Sequence, residues 1–290
     1  MNLKLPTSNF KTNIKSQITN LKRLGSSVLV FALCFEVGCL MLEVPAQASY
    51  ISLNTALSSK VQGKNLKVMI SSTNKGDESA YNLRAEIKVA GQSLLAEKRP
   101  ELPVNTAYQA QFDVPLTHQV PGNYPLLLIL HYTDANQYPF SALSVQTYAF
   151  GREAPSPIFG QAKATAFAKE GELRFTLKNL GESEVRAKTY LVAPQELSIS
   201  QEKVELVLSP KSEGSASFKL KNFSALNGST YQLFAVTEYE SGGLHYTSVA
   251  PGTVKITAEE SLLGLSYILI YLLLAALVIA FIAAQFIKKK

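Results

Sequence analysis

Tryptophan is absent from this chain of 290 residues, cysteine occurs twice and histidine three times. Both cysteines, Cys34 and Cys39, fall in the first 48 residues. The rest of the chain therefore has no disulfide framework, thiolate nucleophile or cysteine metal site. His118, His131 and His245 are too dispersed to share metal-ligand spacing, and each is expected at a solvated or strand-edge position. No Gly-x-Ser-x-Gly elbow, phosphate-cradling glycine loop or dinucleotide fingerprint is present. The usual supports of hydrolysis and nucleotide use are missing, and the expectation is a protein without cofactor, metal or enzymatic activity.

Charge is also scarce, at 17% of residues with a formal net charge of +6. That surplus sits at the ends. Lys4, Lys11, Lys15, Lys22 and Arg23 lie near the start and Lys288, Lys289 and Lys290 close the chain. Setting aside these eight of 28 basic residues, and Glu36 and Glu43 of 22 acidic ones, leaves 20 of each sign over 49–287. A neutral centre excludes the clustered basic footprint that nucleic acid requires.

What is present at the ends reads as topology. A polar, basic stretch over 1–25, an apolar one over 26–42 and the small-residue run Ala46-Gln47-Ala48 form a three-part signal peptide, 1–48, with cleavage expected after Ala48. A leader retained as a second anchor is the alternative. At the other end no charged residue occurs between Ser261 and Ile287, a length that spans a hydrocarbon core of about 30 Å as a helix. A transmembrane helix is expected over 258–287, with 288–290 as a cytoplasmic tail. The lysines after the span put the C-terminus in the cytoplasm and the region before it on the exported side, periplasmic or extracellular. Gly264 and Ala275 are small residues that would permit close helix packing.

Between the ends, period-two alternation dominates. Leu66, Val68 and Ile70 alternate with Lys67, Met69 and Ser71, and Leu83, Ala85, Ile87 and Val89 alternate with Arg84, Glu86 and Lys88. Such strands bury one face and wet the other, so the region is all-β. The pattern repeats: Asn74-Lys75-Gly76 matches Asn179-Leu180-Gly181, Phe112 matches Phe218, and the pair Tyr124, Tyr132 matches Tyr231, Tyr239. The expectation is two tandem immunoglobulin-like β-sandwiches, 49–150 and 161–257, joined by a stiff linker over 151–160 containing Pro155 and Pro157. Hairpin chemistry explains the repeated Asn-x-Gly if its glycine supplies a positive φ. The repeated tyrosines are expected to be packed, with hydroxyls bonded to nearby backbone.

This order of strand, Asn-x-Gly, strand, Pro-containing loop, strand and Gly-to-Tyr strand resembles the NPCBM-associated and CARDB-type Ig-like domains of bacterial exported proteins. The resemblance covers about 50–150 and 160–257 and implies a spacer, adhesion or partner-binding module; it brings no catalytic residues.

Candidate ligand contacts are the tyrosines expected to face outward, Tyr81, Tyr138, Tyr148 and Tyr246, although half-buried strands also favour tyrosine. Asp134-Ala135-Asn136 reads as a hairpin turn, aligned with Glu240-Ser241-Gly242-Gly243, and Asn222-Phe223-Ser224 and Asn227-Gly228-Ser229 match the glycosylation pattern. The functional expectation is a non-enzymatic, single-pass protein of the cytoplasmic membrane that binds a protein partner in a membrane assembly. The alternatives are a cell-wall or exopolysaccharide (glycan) binder and an accessory subunit of a membrane enzyme or transporter.

Overall fold

The structure is a computed structural model that describes residues 50–258 except 164 and 202, and the backbone of 261–262 and 265–287. The leader over 1–48, Gly264 and the tail over 288–290 lie outside the described residues.

The described chain is mostly β. Its first half holds β1 (Leu53–Gln62), β2 (Asn65–Asn74), β3 (Ala80–Val89), β4 (Gln92–Leu95), β5 (Arg99–Leu102), β6 (Ala107–Pro115), β7 (Gly122–Thr133) and β8 (Pro139–Phe150). The order β1-β2-β6 forms one sheet and β4-β3-β7-β8 the other, with β5 also paired to β3. The second half holds β9 (Ile158–Ala162), β10 (Thr165–Phe167), β11 (Glu170–Asn179), β12 (Val185–Val192), β13 (Leu197–Ile199), β14 (Val204–Leu208), β15 (Glu213–Asn222), β16 (Thr230–Ser241) and β17 (Leu244–Ile256). Its sheets run β9-β11-β15-β13 and β14-β12-β16-β17. Strand for strand, β1-β2-β6 corresponds to β9-β11-β15 and β5-β3-β7-β8 to β14-β12-β16-β17, whereas β4 pairs with β3 and β13 with β15. The repeat in the sequence is thus a repeat of topology.

Each half closes over its own core because alternation puts one face of every strand inward. Leu66 and Val68 of β2 face Leu83, Ala85 and Ile87 of β3 and Leu128 and Leu130 of β7. In the second half, Leu173 and Phe175 of β11 and Phe218 and Leu220 of β15 meet Leu233, Ala235 and Val254 of the opposite sheet. Tyr124 and Tyr231, at the starts of β7 and β16, tie down the preceding turns: the Tyr124 hydroxyl donates to Val120 O at 2.7 Å, and that of Tyr231 accepts from Leu226 N at 3.0 Å.

Asn-x-Gly works differently from the expected hairpin. Neither Gly76 nor Gly181 has a positive φ, and β2 to β3, like β11 to β12, crosses from one sheet to the other. The asparagine is the working part. Asn74 is fully buried; its Nδ2 donates to Glu78 O at 2.7 Å and Leu102 O at 3.2 Å, and its Oδ1 accepts from Gly76 N at 3.0 Å. Asn179, equally buried, donates to Ser183 O at 2.8 Å and Leu208 O at 3.1 Å and accepts from Gly181 N at 2.9 Å. Glycine is required at 76 for closeness, since a Cβ there would stand 2.1 Å from Tyr50 O.

The segment expected as a linker over 151–160 is shorter, because 158–160 already belong to β9. It is also tied down: Ala154 N donates to Asn123 Oδ1 at 3.1 Å and Ser156 Oγ meets the Tyr239 hydroxyl at 3.1 Å.

After β17 comes a small antiparallel pair, β18 (Ser261–Leu262) and β19 (Leu265–Ser266), then α1 (Tyr267–Ile287), 21 residues with no acidic first turn and no basic last turn. The side chains of α1 are described over 268–281, which reach about 21 Å at ~1.5 Å per residue. Among the described residues no helix is long and apolar enough to cross a membrane.

Replacing either asparagine strands several buried backbone groups at once. Asn74→Ala and Asn179→Ala should each destabilise their own sandwich by about 3 kcal/mol or more, measured as a drop in the urea midpoint. A loss under about 1 kcal/mol would show that water replaces the side chain at these corners.

Candidate functional site

Alternation fails in the middle of β7, where Leu126, Leu127 and Leu128 are all buried, and again in β16, where Phe234, Ala235 and Val236 are all buried. Only one residue of each pair of neighbours can face the sandwich's own core. The others form a separate apolar cluster: Leu127, Leu143 and Val145 of β7 and β8 pack against Val192, Phe234, Val236, Tyr190 and Val249 of β12, β16 and β17. The two sandwiches therefore share a dry seam rather than only a linker.

Polar pins hold the seam at both ends. At the start of β7, His245 pairs with Gly122 in parallel register; His245 N donates to Pro121 O at 2.9 Å, and Asn123 O receives His245 Nδ1 and Thr247 Oγ1, each at 2.8 Å. Gly122 is needed there because a Cβ would lie 2.0 Å from His245 O. At the far end Glu196, 1% exposed, accepts from Ser141 N at 3.0 Å and Ser141 Oγ at 2.7 Å. Beside it the Tyr138 hydroxyl donates to Ser224 O.

Over the first of these pins the rings stack. Tyr124 lies between His118, with ring centroids 3.6 Å apart, and His245, at 4.0 Å, both nearly parallel to it. His118 Nε2 meets the Tyr148 hydroxyl at 2.6 Å, and His245 Nε2 stands 3.5 Å from Glu238. Burial and the neighbouring His245 lower the His118 pKa. Burial raises Glu238 above the usual carboxylate range, against the opposing pull of His245, Tyr190 and Lys203. Burial likewise keeps the Tyr148 and Tyr190 hydroxyls protonated well beyond the ordinary phenol range.

This cluster opens into a cleft of about 720 Å³ to which the first sandwich contributes Lys88, His118, Tyr124 and Leu127 and the second Tyr190 and Glu238. Tyr190 and Glu238 also line an adjoining hollow of about 390 Å³ with Ile199 and Lys203. At the rim Glu86 holds Lys88 at 3.6 Å and His131 at 2.8 Å. Burial alone would raise the Glu86 carboxyl, but hydrogen bonds from Ser93 and His131 and the charge of Lys88 outweigh it and hold it low. The cleft thus offers aromatic rings, an apolar floor, and the side chains of Lys88 and Glu238. Among the described residues no three His, Cys, Asp or Glu side chains are placed to hold a metal ion.

The four tyrosines read as outward do not form one surface. Tyr148 is 5% exposed and bonded to His118, which corrects the expectation that it faces solvent; β8 pairs it with Tyr124, whose stack fills the space outside. Tyr138 is spent on Ser224. Tyr246 is half-buried and stacks on Tyr239 at 4.9 Å. Tyr81 pairs with Thr133 at the opposite end of β7 from Tyr124, about 30 Å away at ~3.3 Å per residue. His118 and His245, expected at solvated positions, belong to the stack, whereas His131 pairs with Glu86. Asn222 Nδ2 is engaged by Ala168 O and Ala225 O, both at 3.1 Å, so that sequon asparagine is not free to accept a sugar. Ala275 is exposed on α1. The sequence signal for the cleft was the unbroken run Leu126-Leu127-Leu128, which marks a strand covered on both faces.

No protein-family model matches the chain, and no curated protein matches it. Among solved structures it is similar to a red sea bream transglutaminase (TM-score 0.26, 9% identity, 71% of this chain and 32% of that one). It is also similar to an Escherichia coli alpha-2-macroglobulin (0.29, 10%, 70% and 17%). A protein of unknown function from Porphyromonas gingivalis W83 matches as well (0.28, 8%, 70% and 99%). The chain spans a third or less of the first two proteins.

Leu127→Asp buries a carboxylate in the seam, and should lower stability by about 3 kcal/mol and split one calorimetric unfolding transition into two. One transition at an unchanged midpoint would show that the seam is not closed over position 127. A pH effect is expected as well. The unfolded chain takes up a proton at His118 near its ordinary 6.5, while the folded chain resists it. The contribution of His118 is therefore complete above that value and is lost as pH falls through the lowered folded one. The melting temperature should fall between about pH 7 and pH 5, and His118→Gln should remove part of that fall. An identical profile in the variant would place the effect elsewhere.

Proposed function

We propose that this is a non-enzymatic, single-pass envelope protein that displays two immunoglobulin-like sandwiches, locked side by side, outside a cytoplasmic membrane and binds a protein partner in their shared cleft. The strand order β1-β2-β6 over β5-β3-β7-β8, and its counterpart in the second half, supports the immunoglobulin-like assignment. It also agrees with the CARDB-type resemblance. The anchor rests on α1 as a whole, 21 residues without charge that reach about 31 Å against a ~30 Å hydrocarbon core, and on the three lysines after it.

The observation that carries the binding role is the cleft built jointly by Tyr124 and Lys88 of one sandwich and Tyr190 and Glu238 of the other. Aromatic rings beside Lys88 and the polar Glu238 side chain suit a polypeptide segment, whose side chains need apolar contact and whose ends and backbone need polar partners. The titratable groups there are engaged with one another, as His118 with Tyr148 and Glu238 with His245, which supports recognition over catalysis.

The test is recovery of partners on a tagged full-length chain from membranes. Tyr190→Ala and Lys88→Glu should each reduce recovery of the partner about tenfold or more while the far-ultraviolet circular dichroism stays β. Undiminished recovery in both variants would sink the cleft as the binding surface. Retention on wall polysaccharide, competed by free sugar, would favour the glycan alternative instead.

A further inference from the structure

The loop over 223–229, between β15 and β16, presents apolar side chains from a backbone that is fixed without them. Phe223 N and Ser224 N donate to Glu196 O at 3.0 and 3.1 Å, and Gly228 N donates to Ile256 O at 2.7 Å. Ala225 N donates to Asn222 Oδ1 at 2.7 Å and Leu226 N to the Tyr231 hydroxyl at 3.0 Å. From this rigid mount Phe223 stands 79% exposed and Leu226 42%. A phenylalanine and a leucine held in water on one ordered loop are apolar surface available to a contact outside the sandwich.

The position of the loop points to what that contact is. Ile256, the last residue of β17, is bonded to Gly228 and Ser229 of the loop itself, so the chain departs for α1 from this spot. Ser261 is paired with Ser266 across β18 and β19, which folds the connection back on itself. The start of α1 therefore lies within about 25 Å of Ile256, five extended residues of ~3.4 Å plus one strand spacing and one residue step. We propose that Phe223 and Leu226 seat in the interfacial region of the phospholipid bilayer that α1 enters, fixing the second sandwich against the membrane surface. This rests on the anchor reading of α1. Lys169, Lys221 and Lys255 flank the loop, but Glu170 pairs with Lys221 at 2.7 Å and Glu259 and Glu260 follow in sequence. The charges nearly cancel, and the seat is apolar rather than a response to anionic lipid.

The absence of tryptophan gives a silent background for the test. Full-length Phe223→Trp and, separately, Leu226→Trp and Leu277→Trp are placed in phosphatidylcholine vesicles carrying bromine near the glycerol end or near the end of the acyl chains. The expected result is at least twofold quenching at 223 and 226 by the shallow bromines, little by the deep ones, and the reverse at 277. Quenching at 277 with none at 223 or 226 overturns the loop contact and leaves the anchor standing. Quenching at 223 and 226 with none at 277 supports the contact while removing the anchor, and no quenching at any position overturns both.

Discussion

Two buried asparagines set the frame on which everything else is arranged. A chain that crosses between the sheets of a sandwich must turn a corner where no ladder partner is present, and its peptide groups are then buried without hydrogen bonds. Asn74 and Asn179 supply both a donor and an acceptor at that corner, reaching Leu102 O and Leu208 O on the opposite side. An aliphatic residue of the same size would fill the space and leave the carbonyls bare. With the corner fixed, β3 and β12 are committed to the sheet that also contains β7 and β16, and the faces of that sheet become defined.

Of those two faces only one is needed for each sandwich's own core. The other faces of β7, β8, β12, β16 and β17 carry Leu127, Leu143, Val145, Val192, Phe234, Val236 and Val249, too apolar to be left in water, and each sandwich covers the other's. The segment between them works as a short clamp. Ala154 and Ser156 bond to Asn123 and Tyr239, one partner in each sandwich, so the connection adds to the seam instead of spacing it.

The alternation in β2 and β3 and the duplicated tyrosines were enough to read the all-β character and the repeat from the sequence, because they report local geometry that the chain cannot avoid. The seam was legible only in part. The Leu126-Leu127-Leu128 run announces a strand buried on both faces but does not name its cover. Asn-x-Gly misled, since the same three residues serve a positive-φ hairpin or a buried corner, and only the path of the next strand decides between them. The histidines were hidden for a similar reason: His118 and His245 are 127 positions apart, and it is the parallel register of β7 with β17 that puts them on either face of Tyr124. Tyr148 reads as outward by alternation, and would be so if nothing lay over it.

The division of labour within the seam follows from magnitudes. Each fully buried leucine, valine or phenylalanine there contributes about 1.5–3 kcal/mol relative to exposure, whereas a neutral hydrogen bond contributes about 1 kcal/mol net. The apolar patch of Leu127, Val192, Phe234 and Val236 thus supplies most of the adhesion. It cannot by itself choose a register, since an aliphatic surface slides with little penalty. The pins do that. A shift of one residue along β7 would remove Asn123 O from His245 and Thr247, drive a Cβ into the space that only Gly122 leaves open, and part the Glu196 side chain from Ser141, leaving buried oxygens without their donors. Adhesion is therefore diffuse and register is set at the two ends. The cleft exists because of this arrangement: its two walls belong to different sandwiches, and Tyr190 lines it together with Tyr124 and Lys88 only in the one register that the pins allow.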